Sequence, residues 1–138
     1  MRLVQSAMGI HDAAPVHVIT EASVQQMADW MLGDVDRCCF RANVLVETDD
    51  GRPFVEADWP GHRIALGHEA IVDVLVGTER CAITTYDPDA LVRNTEVLAA
   101  IARERENMFG VYCRVVRGGW VQVGDRVTIR RVPVRASA

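Results

Sequence analysis

Hydrophobic and polar residues alternate along this chain in short runs, and only two stretches take on the spacing of a helix. "PVHVIT" from Pro15 reads as a strand, and Thr20 then reads as the N-cap of a helix over "EASVQQMADWML". In that helix Val24, Met27, Ala28, Met31 and Leu32 fall at i, i+3, i+4, i+7 and i+8, one apolar stripe, and Gly33 is a natural stop. "CCFRANVLVE" from Cys38 alternates: Phe40, Ala42, Val44 and Val46 share one face, and Arg41, Asn43 and Leu45 share the other. A strand there places the Arg41 and Asn43 side chains together, roughly 7 Å apart. "TDDGR" is a turn, and "FVEADWPGH" reads as a short strand and a loop. "RIALG", "EAIVDVLVGTE" and "RCAITTY" read as further strands, the last closed by "DPDA". Leu91 to Glu106 has helical spacing, with Val97, Leu98, Ile101 and Ala102 on one side. "MFGVYCRVVRGGWVQVGDRVTIRRV" supplies several short strands. Gly118-Gly119 suits a two-residue hairpin turn, and "VGD" at Val123 begins another reversal.

These elements predict an α+β, mostly β protein: a β-barrel of about seven or eight short strands with two or three attached helices. The strands are too short and too sequential for a doubly wound parallel sheet.

Composition narrows the function. A chain of 138 residues with 49% hydrophobic and 25% charged residues is expected to form one domain with a real core. The net charge of −4 provides no basic field, which argues against nucleic acid as the main partner. No apolar run approaches the roughly 20 residues that span a bilayer, so no membrane partner is expected. The N-terminus lacks the apolar core of a signal peptide, and the cytoplasm is the expected location. All 15 basic residues are Arg. Without lysine the chain cannot form the Schiff base of a pyridoxal-phosphate enzyme, but it is well supplied for planar recognition of phosphate or carboxylate. Arg126, Arg130, Arg131 and Arg135 make residues 128–138 and their approach a basic C-terminal strand and tail, expected to be solvated.

Motifs that announce a chemistry are scarce. There is no G-x-S-x-G, no Gly-rich phosphate loop and no C-x-x-C, and the four histidines form no H-x-x-x-H pair. Asp49-Asp50 and Asp87/Asp89 sit in turns, which accounts for them without catalysis. Two pairs remain: Arg41 with Asn43, and Arg80 with Cys81. Cys81 reads either as a core hydrophobe or as a thiolate favoured by the neighbouring guanidinium, the form that binds soft metals.

The segments "PVHVITEAS", "CCFRANVLVE", "PFVEADW", "ALG", "RCAITTYDPD", "MFGVY" and "VQVGDRV", in that order and at these spacings, resemble the MOSC domain over about residues 12–127. This is the C-terminal domain of molybdenum cofactor sulfurases, and its relatives include the mitochondrial amidoxime reducing component. The resemblance implies a stand-alone MOSC-like barrel that lacks the N-terminal β-barrel domain found in the reductases. It implies molybdenum cofactor (molybdopterin) binding. Cys81, from the family's R-C-x-x-T-x-x-D-P motif, would be the molybdenum ligand and catalytic residue. Arg41 and Asn43, from "FRAN", would contact the pterin, together with Arg80 and the "DAAP" segment (Asp12, Ala13 and Ala14). Ala42 stands where the family's F-R-P-N has proline, and Glu79 precedes the Arg-Cys pair. The implied activity is oxidoreduction of N-oxygenated or oxygen-transfer small-molecule substrates. A redox partner would deliver electrons, and a second copy or a partner chain would complete the site. Two other readings stay open: a persulfide carrier with a sulfur donor protein, and a non-catalytic interaction module.

Overall fold

The computed structural model describes residues 2–3, 16–33, 35, 40–80 and 95–132. In chain order they form β1 (Arg2–Leu3), β2 (Val16–Thr20), α1 (Glu21–Met31), β3 (Val44–Val46), a 3-10 helix (Val55–Asp58), β4 (His62–Leu66), β5 (Ala70–Glu79), α2 (Thr95–Arg105), β6 (Met108–Arg117), β7 (Gly119–Trp120) and β8 (Val127–Arg131). Six strands make one sheet in the order β3-β2-β6-β5-β4-β8, curled into a half barrel. Every pairing in it is antiparallel except β2 with β3, so the sheet is mixed. Parallel neighbours need a crossover, and α1 lies in that connection. The mostly β architecture expected from alternation is present.

Two apolar clusters divide the interior. Inside the curl, Val16, Val18, Val46, Trp59, Ile64, Leu66, Val72, Val74, Val111, Cys113 and Val115 pack together. They come from alternate positions of neighbouring strands, as pleating dictates. On the helix side, Ile19, Val24, Met27, Phe40, Val97, Ile101 and Phe109 form a second cluster. β2 therefore lies between two apolar layers, and all five of its residues are buried. The apolar stripe of α1 is half right: Val24 and Met27 are buried, while Leu32 is 94% exposed. Leu32 and not Gly33 is the left-handed C-cap, at φ 56°.

The outer face of the sheet carries charge. Arg63 grips Asp73 across β4 and β5 through Nε at 2.7 Å and Nη2 at 3.1 Å, and Arg114 Nη2 approaches the same carboxylate at 3.5 Å. These Arg63 hydrogen bonds hold the Asp73 carboxyl below the ordinary carboxylate range; burial opposes them and Arg114 assists. A carboxyl whose folded pKa is depressed contributes stability above the unfolded value of about 3.9, and that stability is lost as pH falls through the folded value. Asp73→Asn is therefore expected to shrink the stability difference between neutral and acid pH in urea titrations. An unchanged pH profile would count against this pairing.

Three expected features differ. "CCFRANVLVE" is a strand only over Val44–Val46. Phe40 stands in a helical turn and Arg41 is left-handed at φ 53°, so strand alternation is not what places Arg41 near Asn43. "FVEADW" contains a 3-10 helix where a strand was expected. β7 pairs with β1 through Arg2↔Trp120 and Leu3↔Gly119, so Gly118-Gly119 does not turn a hairpin between β6 and β7. The "RCAITTY" strand after Arg80, the "DPDA" turn and the first turn of the second helix lie outside the described residues.

Candidate functional site

β2, the turn before β3, the end of β5 and the entry to β6 converge at one place. Phe40 is fully buried and stacks on Phe109, with ring centroids 4.2 Å apart and planes 9° from parallel. That stack, worth about 0.5–1.5 kcal/mol beyond its buried area, anchors the start of the turn. Its end is anchored by Asn43, whose Oδ1 accepts from the His17 backbone N–H at 2.8 Å. The Asn43 N–H in turn donates to the His17 carbonyl at 2.9 Å. Asn43 thus pairs with β2 like a strand residue, just before β3 begins at Val44. His17 is 2% exposed and held in place, its Nε2 3.4 Å from the Phe109 carbonyl and its ring tilted against Tyr112 at 5.5 Å.

Between these anchors Arg41 is exposed, and its guanidinium has no hydrogen bond or ion pair among the described residues. The turn that carries this cation has positive φ at Arg41 and is fixed on both sides. Left-handed backbone is rare for a residue with a Cβ and persists where neighbouring contacts over-determine it.

Arg80 follows β5 and is 7% exposed. Its Nη2 donates to the Phe40 carbonyl at 2.7 Å. Its backbone N–H donates to the Asn107 carbonyl at 2.9 Å, and Asn107 Nδ2 donates back to the Arg80 carbonyl at 2.9 Å. Asn107 is left-handed at φ 67° and closes α2 through its N–H to the Ile101 carbonyl, a C-terminal role that Asn tolerates well. Arg41, Asn43 and Arg80 are therefore brought together. Cys81, Asp12, Ala13 and Ala14 lie outside the described residues, as do Cys38 and Cys39. The remaining thiol, Cys113, is fully buried in the half barrel. Burial pushes it up to about 12, with the Asp73 charge adding to the effect, so Cys113 is a core residue and not a nucleophile.

Two residues of the site were not found by motif. His17 was read only as a strand residue, and Asn107 only as lying beyond a helix. The signal for Asn107 was present, since Asn directly after a helical run is a common left-handed cap. Nothing local marks His17 as the partner of Asn43, 26 positions away.

The MOSC domain family model matches residues 5–128. This chain belongs to the MOSC domain family. The MOSC chain is 29% identical over 129 residues to mitochondrial amidoxime reducing component 2 of Rattus norvegicus. It is 31% identical over 125 residues to mitochondrial amidoxime-reducing component 1 of Danio rerio. Each comparison covers 84% of this chain and 37% of the relative, so the chain spans well under half the length of those proteins. Among solved structures, the YuaD protein of Bacillus subtilis superposes with a TM-score of 0.66 at 21% identity, over 83% of this chain and 63% of that one. YiiM of Geobacillus stearothermophilus superposes with a TM-score of 0.61 at 16% identity, over 84% and 54%. Both likenesses are of fold. Among the described residues, no helix is long and apolar enough to cross a membrane.

Proposed function

We propose that this MOSC domain binds a molybdenum cofactor, with Cys81 as the protein ligand to the metal, and acts in reduction or oxygen-atom transfer on N-oxygenated small molecules. The observation that carries this reading is Arg41: an exposed guanidinium with no ion pair among the described residues, on a turn locked between Phe40 and Asn43. The donor chemistry fits. A pterin cofactor of this kind is anionic, and guanidinium recognises phosphate and dithiolene anions through planar paired donors. Thiolate is the soft ligand that suits the metal. The relatives named as amidoxime reducing components support the reaction class.

In this reading each residue has one task. Arg41 neutralises the anionic cofactor and orients it. Asn43 holds the far end of the Arg41 turn to β2. The "DAAP" backbone from Asp12 to Ala14, which precedes β2 in the sequence, would supply further contacts. Cys81, one residue beyond Arg80, supplies the thiolate. The bound cofactor would supply two-electron redox chemistry at molybdenum; a redox partner would supply the electrons.

Protein purified from a host that makes the cofactor should contain molybdenum by elemental analysis and an equimolar pterin, released as its fluorescent oxidation product. Cys81→Ser should abolish the metal, and Arg41→Ala should lower the pterin content. Metal-free, pterin-free wild-type protein would sink the proposal; if persulfide labelling then mapped to Cys81, the sulfur-carrier reading would take its place.

A further inference from the structure

The resemblance to MOSC sequences makes Arg80 a cofactor contact, but its surroundings suggest another task. We infer that Arg80 is a positioning residue: its guanidinium holds the Phe40–Arg41 turn against the end of β5 and so sets where the Arg41 cation stands relative to the backbone that leads into Cys81. This inference rests on the proposed reading of Arg41 and Cys81 as ligand contacts.

Three observations support it. First, Arg80 is 7% exposed while Arg41 is exposed, so the two arginines are unequal candidates for an anion arriving from solvent. Second, Arg80 Nη2 donates to the Phe40 carbonyl at 2.7 Å, across 40 positions of sequence. Charge-assisted bonds of this length are about twice as strong as neutral ones. The carbonyl it holds belongs to the peptide that enters the left-handed Arg41, the point where the turn departs from strand geometry. Third, the Arg80 backbone is itself fixed on both sides of the residue by Asn107. A rigid backbone carrying a forked donor makes a strut. One end is tied to the α2–β6 junction and the other to the turn, and Phe40 is pinned independently by its stack on Phe109.

The bond joins the residue before Arg41 to the residue before Cys81. The contact is made by the Arg80 side chain on the Phe40 carbonyl, so it fixes the turn one residue before Arg41 against the last described residue of its own segment. Positioning partners of this kind commonly change ligand affinity without touching the ligand.

The test uses metal-free full chain and NMR. Arg80→Met keeps an apolar stem of similar reach and removes every donor; Arg80→Lys keeps charge and a donor. The Met variant should shift and broaden the backbone amides of residues 41–43 and leave those of β4 and β8 in place, and the Lys variant should restore most of the wild-type pattern. In wild-type protein the Arg80 guanidinium should give a resolved, slowly exchanging Nη resonance, which needs no variant to fold. Amides of residues 41–43 that do not move in Arg80→Met, or a rapidly averaging Arg80 guanidinium in the wild type, would overturn the inference. In protein from a cofactor-competent host, Arg80→Met should lower pterin affinity roughly 10-fold or more and Arg80→Lys by less. Equal losses in both variants would instead make Arg80 a direct cofactor contact. Should the wild type hold no molybdenum, the proposed function fails while the NMR result still decides the role of Arg80.

Discussion

Glu56→Ala is expected to destabilise the domain by about 3 kcal/mol, seen as a lower urea midpoint with little change in slope. Glu56 is 1% exposed in the middle of the 3-10 helix. Its carboxylate receives Ser23 Oγ at 2.6 Å and Thr20 Oγ1 at 3.0 Å. Thr20 and Ser23 are themselves fully buried at the start of α1. Thr20 Oγ1 also accepts from Ser23 N–H at 3.2 Å as the N-cap, and Ser23 Oγ accepts from Phe54 N–H at 2.8 Å. Removing the carboxylate takes the acceptor from both buried hydroxyls. They lie 2.8 Å apart, so one can turn to the other and one donor is left unsatisfied, at about 1–3 kcal/mol, on top of the two charge-assisted bonds lost. It also removes a negative charge from the N-terminal end of α1, where helix dipoles favour one. Glu56→Gln keeps the shape and one acceptor oxygen, so its loss should be about half as large. Glu47→Ala, an exposed carboxylate nearby in sequence, should lie within about 0.5 kcal/mol of wild type. A wild-type midpoint for Glu56→Ala would show that water replaces the lost acceptor.

This network also shows where sequence reading stops. The N-cap was legible, because Thr before a helical pattern is a local signal and the capping bond is local. The 3-10 helix was not. In "FVEADW" apolar and acidic residues alternate in a way that fits a strand, and what overrides the pattern is a carboxylate whose partners lie 33 and 36 positions earlier. β4, β5 and β6 were visible because half-buried strands stamp a period of two on the chain. The turn at Arg41 was hidden by the same rule. Phe40, Ala42, Val44 and Val46 keep the alternation through a segment where only the last three residues form a strand, and the apolar residues before it pack into the helix-side cluster instead.

The site divides along the same line. Arg41, Asn43 and Arg80 stood out as a motif, and the structure gathers them. Their differing tasks could not be read from the motif. An Arg that faces solvent and an Arg that ties a buried carbonyl are the same letter, and only burial and partners separate them. The Gly118-Gly119 pair makes the point for the backbone. Two glycines between strands suggest a hairpin, but β7 finds its partner in β1, at the far end of the sequence.

The second large effect is expected at Gly110, the third residue of β6. Its φ is +85°, a conformation that costs a residue with a Cβ about 1–3 kcal/mol. A Cβ built there would collide with His17 Nε2, stand 2.7 Å from Ile19 Cγ2 and stand 2.9 Å from the Val18 carbonyl oxygen. The Ile19 methyl can yield by a rotamer shift, but the Val18 carbonyl belongs to β2, which is paired on both sides. Overpacking of this kind adds about 1–3 kcal/mol. Gly110→Ala should therefore lose about 3–5 kcal/mol in total, enough to lower the melting temperature by roughly 10 °C or more in a domain of this size. Gly33→Ala is the matched control. Nothing lies within 4 Å of its Cβ position and its φ is unremarkable, so its melting temperature should be close to wild type. Because the collision falls on His17, whose backbone holds Asn43, Gly110→Ala should also disturb the amides of residues 41–43, which Gly33→Ala should leave alone. A melting temperature for Gly110→Ala equal to that of Gly33→Ala would mean that β2 and β6 can separate at this point without cost. The close approach that seats His17 beneath the turn would then not be a constraint on the site.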